Sequence, residues 1–155
     1  GWHRQNNLSV IITRLFNTIG PRQTSSYGMV LPRFVKQALK NEPLTVYGDG
    51  NQTRTFTYVG DVVTALRKIM EQDKAVGQIF NIGGTREISI LELAKLVVQV
   101  TGSKSEIEMI SYDQAYTTDF EDMQRRVPSI EKIQKYIEYN PVIELEDIIK
   151  EIVQE

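Results

Sequence analysis

Two hydrophobic periods run along the chain. Leu8 to Phe16, LSVIITRLF, is a β-branched apolar run broken by Arg14, and it predicts a buried strand of a parallel sheet. From Leu31 to Leu39 the apolar residues fall at Leu31, Phe34, Val35, Ala38 and Leu39, the spacing of an amphipathic helix. Pro32 suits its first turn, and Pro43 closes the region. Leu44 to Tyr47 and Thr55 to Val59 predict short strands. Between them, Gly48-Asp49-Gly50-Asn51 is a tight loop of residues that accept positive φ cheaply. Asp61 to Met70 predicts a helix with Asp61 as its N-cap and Val62, Ala65, Leu66 and Ile69 on one face. Gln78 to Ile82 is a short strand that Gly83-Gly84 breaks. Ser89, with Glu92 three residues on, predicts a capping box for a helix over Ile90 to Val100, which Gly102 stops. Glu106 to Ile110 alternates as a half-exposed strand does. Ser129 is a candidate cap for a helix over Ile130 to Ile137, and Leu145 to Val153 predicts a last amphipathic helix.

Composition narrows the class. The chain has 155 residues, 41% hydrophobic and 25% charged, enough for one soluble globular domain with a real core. No apolar run is long enough to span a bilayer, and the start, GWHRQNNLSV, lacks the apolar core of a signal peptide. His3, the one histidine, falls in a start expected to fray. There is no cysteine, hence no disulfide framework and no thiolate metal site, which fits a reducing cytoplasm. No metal is expected. Residues 1–77 carry 10 Lys/Arg against 5 Asp/Glu, and residues 78–155 carry 8 against 15. The positive excess in the first half suits an anionic small molecule and is too diffuse for a nucleic-acid face.

The candidate chemistry centres on Leu44 to Asp61, LTVYGDGNQTRTFTYVGD. Arg54, just after the glycine turn, can present a planar fork of donors to a phosphate or carboxylate. Tyr47 places an aromatic face close to it in sequence. On residue types alone, a β-hairpin with a surface arginine accounts for the stretch better. Asn17, at the carboxyl end of the first strand, stands where open α/β sheets bind ligands. It is equally a turn residue satisfying its own backbone. Arg125 and Arg126 follow the acidic run Asp119 to Asp122, with which both could simply pair.

Taken together, LTVYGDGNQTRTFTYVGD, RLFNTIGPRQ, MVLPRFVKQALKNEP, FNIGG, ISILELAKLV and RRVPSIEKIQKYI resemble, in order, segments of the extended short-chain dehydrogenase/reductases that act on nucleotide sugars. These are the UDP-sugar 4-epimerases, sugar 4,6-dehydratases and UDP-glucuronate decarboxylases. The resemblance implies the C-terminal portion of an extended Rossmann-type fold, with few short strands and about five helices. It also implies that the N-terminal dinucleotide-binding half is absent. Residues 1–28 would be the last part of the Rossmann-type domain and 29–155 the substrate domain, with strand 78–82 returning to the Rossmann sheet. It further implies a UDP- or dTDP-sugar held by Asn17, the backbone around Met29 and Val30, Thr45, Tyr47, Arg54, Arg126 and position 129, with Phe16 beside the cofactor NAD.

Two departures stand out. Ile19 replaces a tyrosine frequent in the family, and Ser129 stands where an acidic residue takes a ribose hydroxyl. The chemistry of the family rests on a G-x-x-G-x-x-G turn and a Tyr-x-x-x-Lys pair, and neither pattern occurs in the 155 residues. No residue is therefore assigned a catalytic role. The chain is expected to be an inactive C-terminal piece of a longer NAD-dependent enzyme. Its partners would be the remainder of that enzyme and a second copy, since an incomplete sheet invites pairing. The rival expectations are a stand-alone non-catalytic nucleotide binder and a purely structural α/β domain.

Overall fold

The computed structural model describes residues 1–23, 29–112 and 123–154 and is mixed α/β. In chain order the elements are α1 (Trp2–Asn6), β1 (Ile12–Leu15), β2 (Thr18–Ile19), α2 (Val30–Leu39), β3 (Leu44–Tyr47), β4 (Thr53–Thr55), β5 (Thr57–Tyr58) and α3 (Val59–Met70). A 3₁₀ turn (Asp73–Ala75) follows, then β6 (Ile79–Ile82), β7 (Glu87–Ser89), α4 (Ile90–Thr101), β8 (Ile107–Ile110), β9 (Arg125–Arg126), α5 (Glu131–Gln134) and α6 (Leu145–Val153). Among the described residues the strands pair as β1–β6, β2–β5 and β3–β8, all parallel, and as a mixed sheet in the order β7–β4–β9.

Two apolar cores hold these pieces. The first joins α2, α4 and α6 to β3, through Leu31, Phe34, Leu44, Val46, Leu93 and Ile149. The second joins α3, β6 and α5, through Val62, Ile69, Phe80, Ile82 and Ile133. Local signals explain most of the helices. Ser89 Oγ accepts from the Glu92 N–H while the Glu92 carboxylate accepts from the Ser89 N–H, so the capping box is formed. Gly102 closes α4 at φ 62°. α2 buries Leu31, Phe34, Val35 and Ala38 of its expected face but leaves Leu39, in its last turn, 53% exposed, and α6 buries Leu145, Ile148 and Ile149.

The structure corrects several expectations. Leu44–Val59 is no hairpin: β3 pairs with β8, and β4 pairs with β7 and β9. The strand expected over Thr55–Val59 is divided, with Thr55 ending β4 and Thr57–Tyr58 forming β5 beside β2. Gly84 packs so closely on the Phe56 carbonyl, at the break, that a Cβ there would collide with it. Asp61 is not the N-cap of α3. Tyr58 is, and Asp61 lies in the first turn, where a carboxylate suits the helix dipole. Ser129 caps nothing. α5 covers only Glu131–Gln134 behind Ile130, with no side-chain cap, because the segment is fixed from outside by the Asn81 amide on the Ser129 carbonyl. The start is ordered into α1, with His3 Nδ1 2.6 Å from the Leu8 carbonyl. β1 is not buried: Ile12 is 52% and Leu15 44% exposed. The acidic run Asp119–Asp122 lies outside the described residues, and Arg125 pairs instead with Glu87.

Candidate functional site

The glycine loop is built by its own residues. Gly48 and Gly50 take φ 68° and 70°, and Asp49 Oδ1 accepts the Asn51 N–H at 3.0 Å. These bonds from Asn51 hold the Asp49 carboxyl below its ordinary range. Space also requires glycine here, since a Cβ at Gly48 would strike the Tyr112 ring. The loop hands the chain to β4, the central strand of the β7–β4–β9 sheet.

That sheet decides where the arginines go. Side chains alternate across a strand, and neighbours in a ladder share a face. One face carries Thr53, Glu87 and Arg125. Arg125 grips Glu87 through Nε and Nη2, each at 2.9 Å, and Thr53 Oγ1 donates to the same carboxylate. The Arg125 guanidinium, then the Thr53 hydroxyl, hold Glu87 below the usual carboxylate range. The other face carries Arg54 and Arg126, which are Cα partners in the β4–β9 ladder. Arg54 Nη1 donates to the carbonyls of Thr53 and Met123, both at 2.7 Å. The Arg126 guanidinium lies over the Phe16 ring at 5.5 Å. The two arginines the resemblance singles out are therefore side by side, and Phe16 is beneath one of them.

Asn17 adjoins this cluster. It sits at φ 38°, its amide donates to the Thr55 carbonyl at 2.7 Å, and its carbonyl accepts the Thr57 N–H. Asn17 thus clasps the β4–β5 break rather than its own turn. It also lines a cleft of about 290 Å³ with Leu15, Met29, Val30 and Phe56. α2 starts at this cleft with Met29 as N-cap and no side-chain cap, so its first-turn N–H groups carry positive character there. Ser129 is exposed, and its carbonyl is bound by Asn81.

Thr45 and Tyr47 form a separate cluster with residues that sequence reasoning missed. The Arg33 guanidinium lies over the Tyr47 ring at 4.3 Å and donates to the Thr45 carbonyl. Gln37, one turn on, bonds both Thr45 Oγ1 and the Thr45 N–H. Buried Gln52 donates to the Tyr47 carbonyl and to the Tyr112 hydroxyl. The available signal was the i, i+4 placement of Arg33 and Gln37 on the polar side of α2. Among the described residues no group of three or more His, Asp or Glu side chains could hold a metal ion, and no helix is long and apolar enough to cross a membrane.

Comparison with known proteins places this geometry. Residues 1–83 match the model of the NAD dependent epimerase/dehydratase family. The chain belongs to that family. Among curated members it is 40% identical over 148 residues to a UDP-N-acetyl-alpha-D-glucosaminuronate decarboxylase of Bacillus cytotoxicus, covering 95% of this chain and 46% of that protein. It is 42% identical over 144 residues to UDP-glucuronic acid decarboxylase 4 of Arabidopsis thaliana, covering 93% of this chain and 31% of that protein. The chain thus spans less than half the length of these relatives. The same holds for solved structures of family members. UDP-glucuronic acid 4-epimerase of Bacillus cereus, in complex with UDP-glucuronic acid and NAD, superposes with a TM-score of 0.86 at 27% identity, over 99% of this chain and 46% of that one. UDP-glucose 4-epimerase of Thermotoga maritima, with UDP-glucose, gives 0.86 at 28% identity, over 99% and 47%. The α/β architecture is therefore that of part of a Rossmann-type epimerase/dehydratase. The G-x-x-G-x-x-G turn that seats a pyrophosphate on a helix N-terminus is not in this chain's sequence.

Proposed function

We propose that this chain supplies the nucleotide-sugar grip of an NAD-dependent epimerase, dehydratase or decarboxylase acting on a UDP-sugar, with a dTDP-sugar second. The ladder register that sets Arg54 beside Arg126 carries the reading. Like charges abreast on one strand face destabilise a sheet. A diphosphate between them reverses the sign, and arginine forks suit its oxygens. Thr45 and the Arg33-backed Tyr47 meet the base. Asn17 and the backbone of Met29 and Val30 meet the sugar-phosphate end. Ser129 gives at most a weak ribose contact in place of a carboxylate, and Phe16 borders the cofactor.

In this reading residues 1–28 and strand 78–82 belong to the Rossmann-type sheet and 29–155 to the substrate domain. The chain alone turns nothing over and binds no NAD, acts in the cytoplasm, and works as a homo-oligomer. A non-catalytic nucleotide binder is the rival, and the sequence lacks Tyr-x-x-x-Lys on either reading.

Calorimetric titration with UDP, and separately with NAD, tests the grip. UDP binding that weakens about 10- to 100-fold in Arg54→Ala supports it, matching the ~1.5–3 kcal/mol of a charge-assisted hydrogen bond. No heat with UDP, or titrations unchanged in both Arg54→Ala and Arg126→Ala, leaves the structural domain as the reading. Epimerised or decarboxylated product on incubation with a UDP-sugar and NAD would refute inactivity.

A further inference from the structure

The cleft beside Asn17 contains two polar atoms that the grip does not use. Thr18 Oγ1 and Gln23 Oε1 are both buried, and among the described residues neither has a hydrogen-bond partner. Thr18 and Gln23 both line the cleft, among Leu15, Ile19, Met29 and Phe56. The orientation of the Gln23 amide follows from its other end, where Nε2 donates to the Thr18 carbonyl at 3.0 Å, a bond that only the nitrogen can make. The unpartnered end is therefore a carbonyl, which requires a donor. Burying such groups unpaired costs stability, and here the two belong to side chains that line one mostly apolar cleft.

The chemistry of the two atoms selects the ligand. A phosphate oxygen only accepts, so it cannot satisfy the Gln23 carbonyl. A sugar hydroxyl donates to that carbonyl and accepts from Thr18 Oγ–H. We infer that Gln23 and Thr18 are specificity-determining residues that take a hydroxyl of the sugar ring, the amide rotating slightly to open its carbonyl to the cleft. This rests on the nucleotide-sugar reading and adds to it the group that distinguishes a nucleotide sugar from a bare nucleotide.

The test is calorimetry of the full chain with UDP and with UDP-glucose, for the parent and for Gln23→Met, which keeps length and removes the carbonyl. The expected result is a roughly 5- to 10-fold loss of UDP-glucose affinity with UDP affinity unchanged, the scale of one neutral hydrogen bond. Equal loss for both ligands, or none, overturns the inference and leaves the arginine grip intact. A parent chain that does not bind UDP overturns the grip instead. The unliganded chain then decides the inference through a second readout. Thr18→Val, which replaces an unpaired buried hydroxyl by a methyl group and leaves the hydrogen bond from the Gln23 amide to the Thr18 carbonyl in place, should raise the thermal midpoint by about 2–4 °C. An unmoved or lowered Thr18→Val midpoint means that this hydroxyl is not held in reserve for a ligand, and overturns it.

Discussion

β1–β6 and β3–β8 are both two-stranded parallel pairs of four residues a side, and they meet opposite fates. β3 buries Leu44 and Val46 completely under α2 and α4. β1, with the more apolar sequence around it, leaves Ile12 and Leu15 about half exposed, and Ile79 of β6 is 40% exposed as well. An apolar strand says that something covers it. It does not say that the covering residues lie in the same stretch of sequence.

The sharpest way to break this contrast is to cut a large side chain from the closed region. Phe34→Ala, at a fully buried position of the first core, should cost about 3–5 kcal/mol in denaturant unfolding. Leu15→Ala, in the open pair, should stay under about 1 kcal/mol; equal losses would erase the difference between the regions. A middle-sized effect belongs to the cap that orders α4 above the first core. Ser89→Ala should cost about 1 kcal/mol, and Ser89→Asp should restore most of it.

A pH experiment probes the second core. Tyr139 donates to the Gly83 carbonyl at 3.0 Å, and burial, then the Asp61 charge, push its hydroxyl up to about 12. The folded pKa is raised, so the contribution is complete below pH 10 and is lost as pH rises toward about 12. Tyr139→Phe should flatten the stability profile in that window, and a wild-type profile already flat there would count against the assignment. The smallest effect on stability should come with the clearest change of assembly. Leu15→Lys should change the unfolding free energy by less than about 0.5 kcal/mol, yet lower any dimer fraction seen by sedimentation at micromolar concentration. A wild-type chain that is monomeric there shows that the open pair does not drive association.

What could be read in advance follows the range of the forces involved. The capping box of α4, the face of α6, that of α2 except for Leu39, and the positive-φ glycines of the loop rest on contacts a few residues apart, and they stand as the pattern indicates. The partners of β4 were not readable, because they come from β7 and β9, and two consecutive strands with a glycine turn look the same as a hairpin. Asp61 misled for a related reason. A carboxylate at the N-cap and one in the first turn leave the same trace in sequence, and the difference is set by Tyr58 leaving β5. For the candidate site, motif order brought out Arg54 and Arg126. Arg33, Gln52, Thr18 and Gln23 stayed hidden, since each acquires its interest from a neighbour brought near by folding.

The β4–β9 ladder also bears on time. Arg54 and the Met123 carbonyl it binds are 69 residues apart in sequence. Loops of that length close slowly, and the helices between them can form first. The arginine pair is thus expected to assemble late on the folding pathway. In a refolding experiment the far-ultraviolet signal should recover before the Arg54–Met123 contact forms, as read by hydrogen exchange at β4.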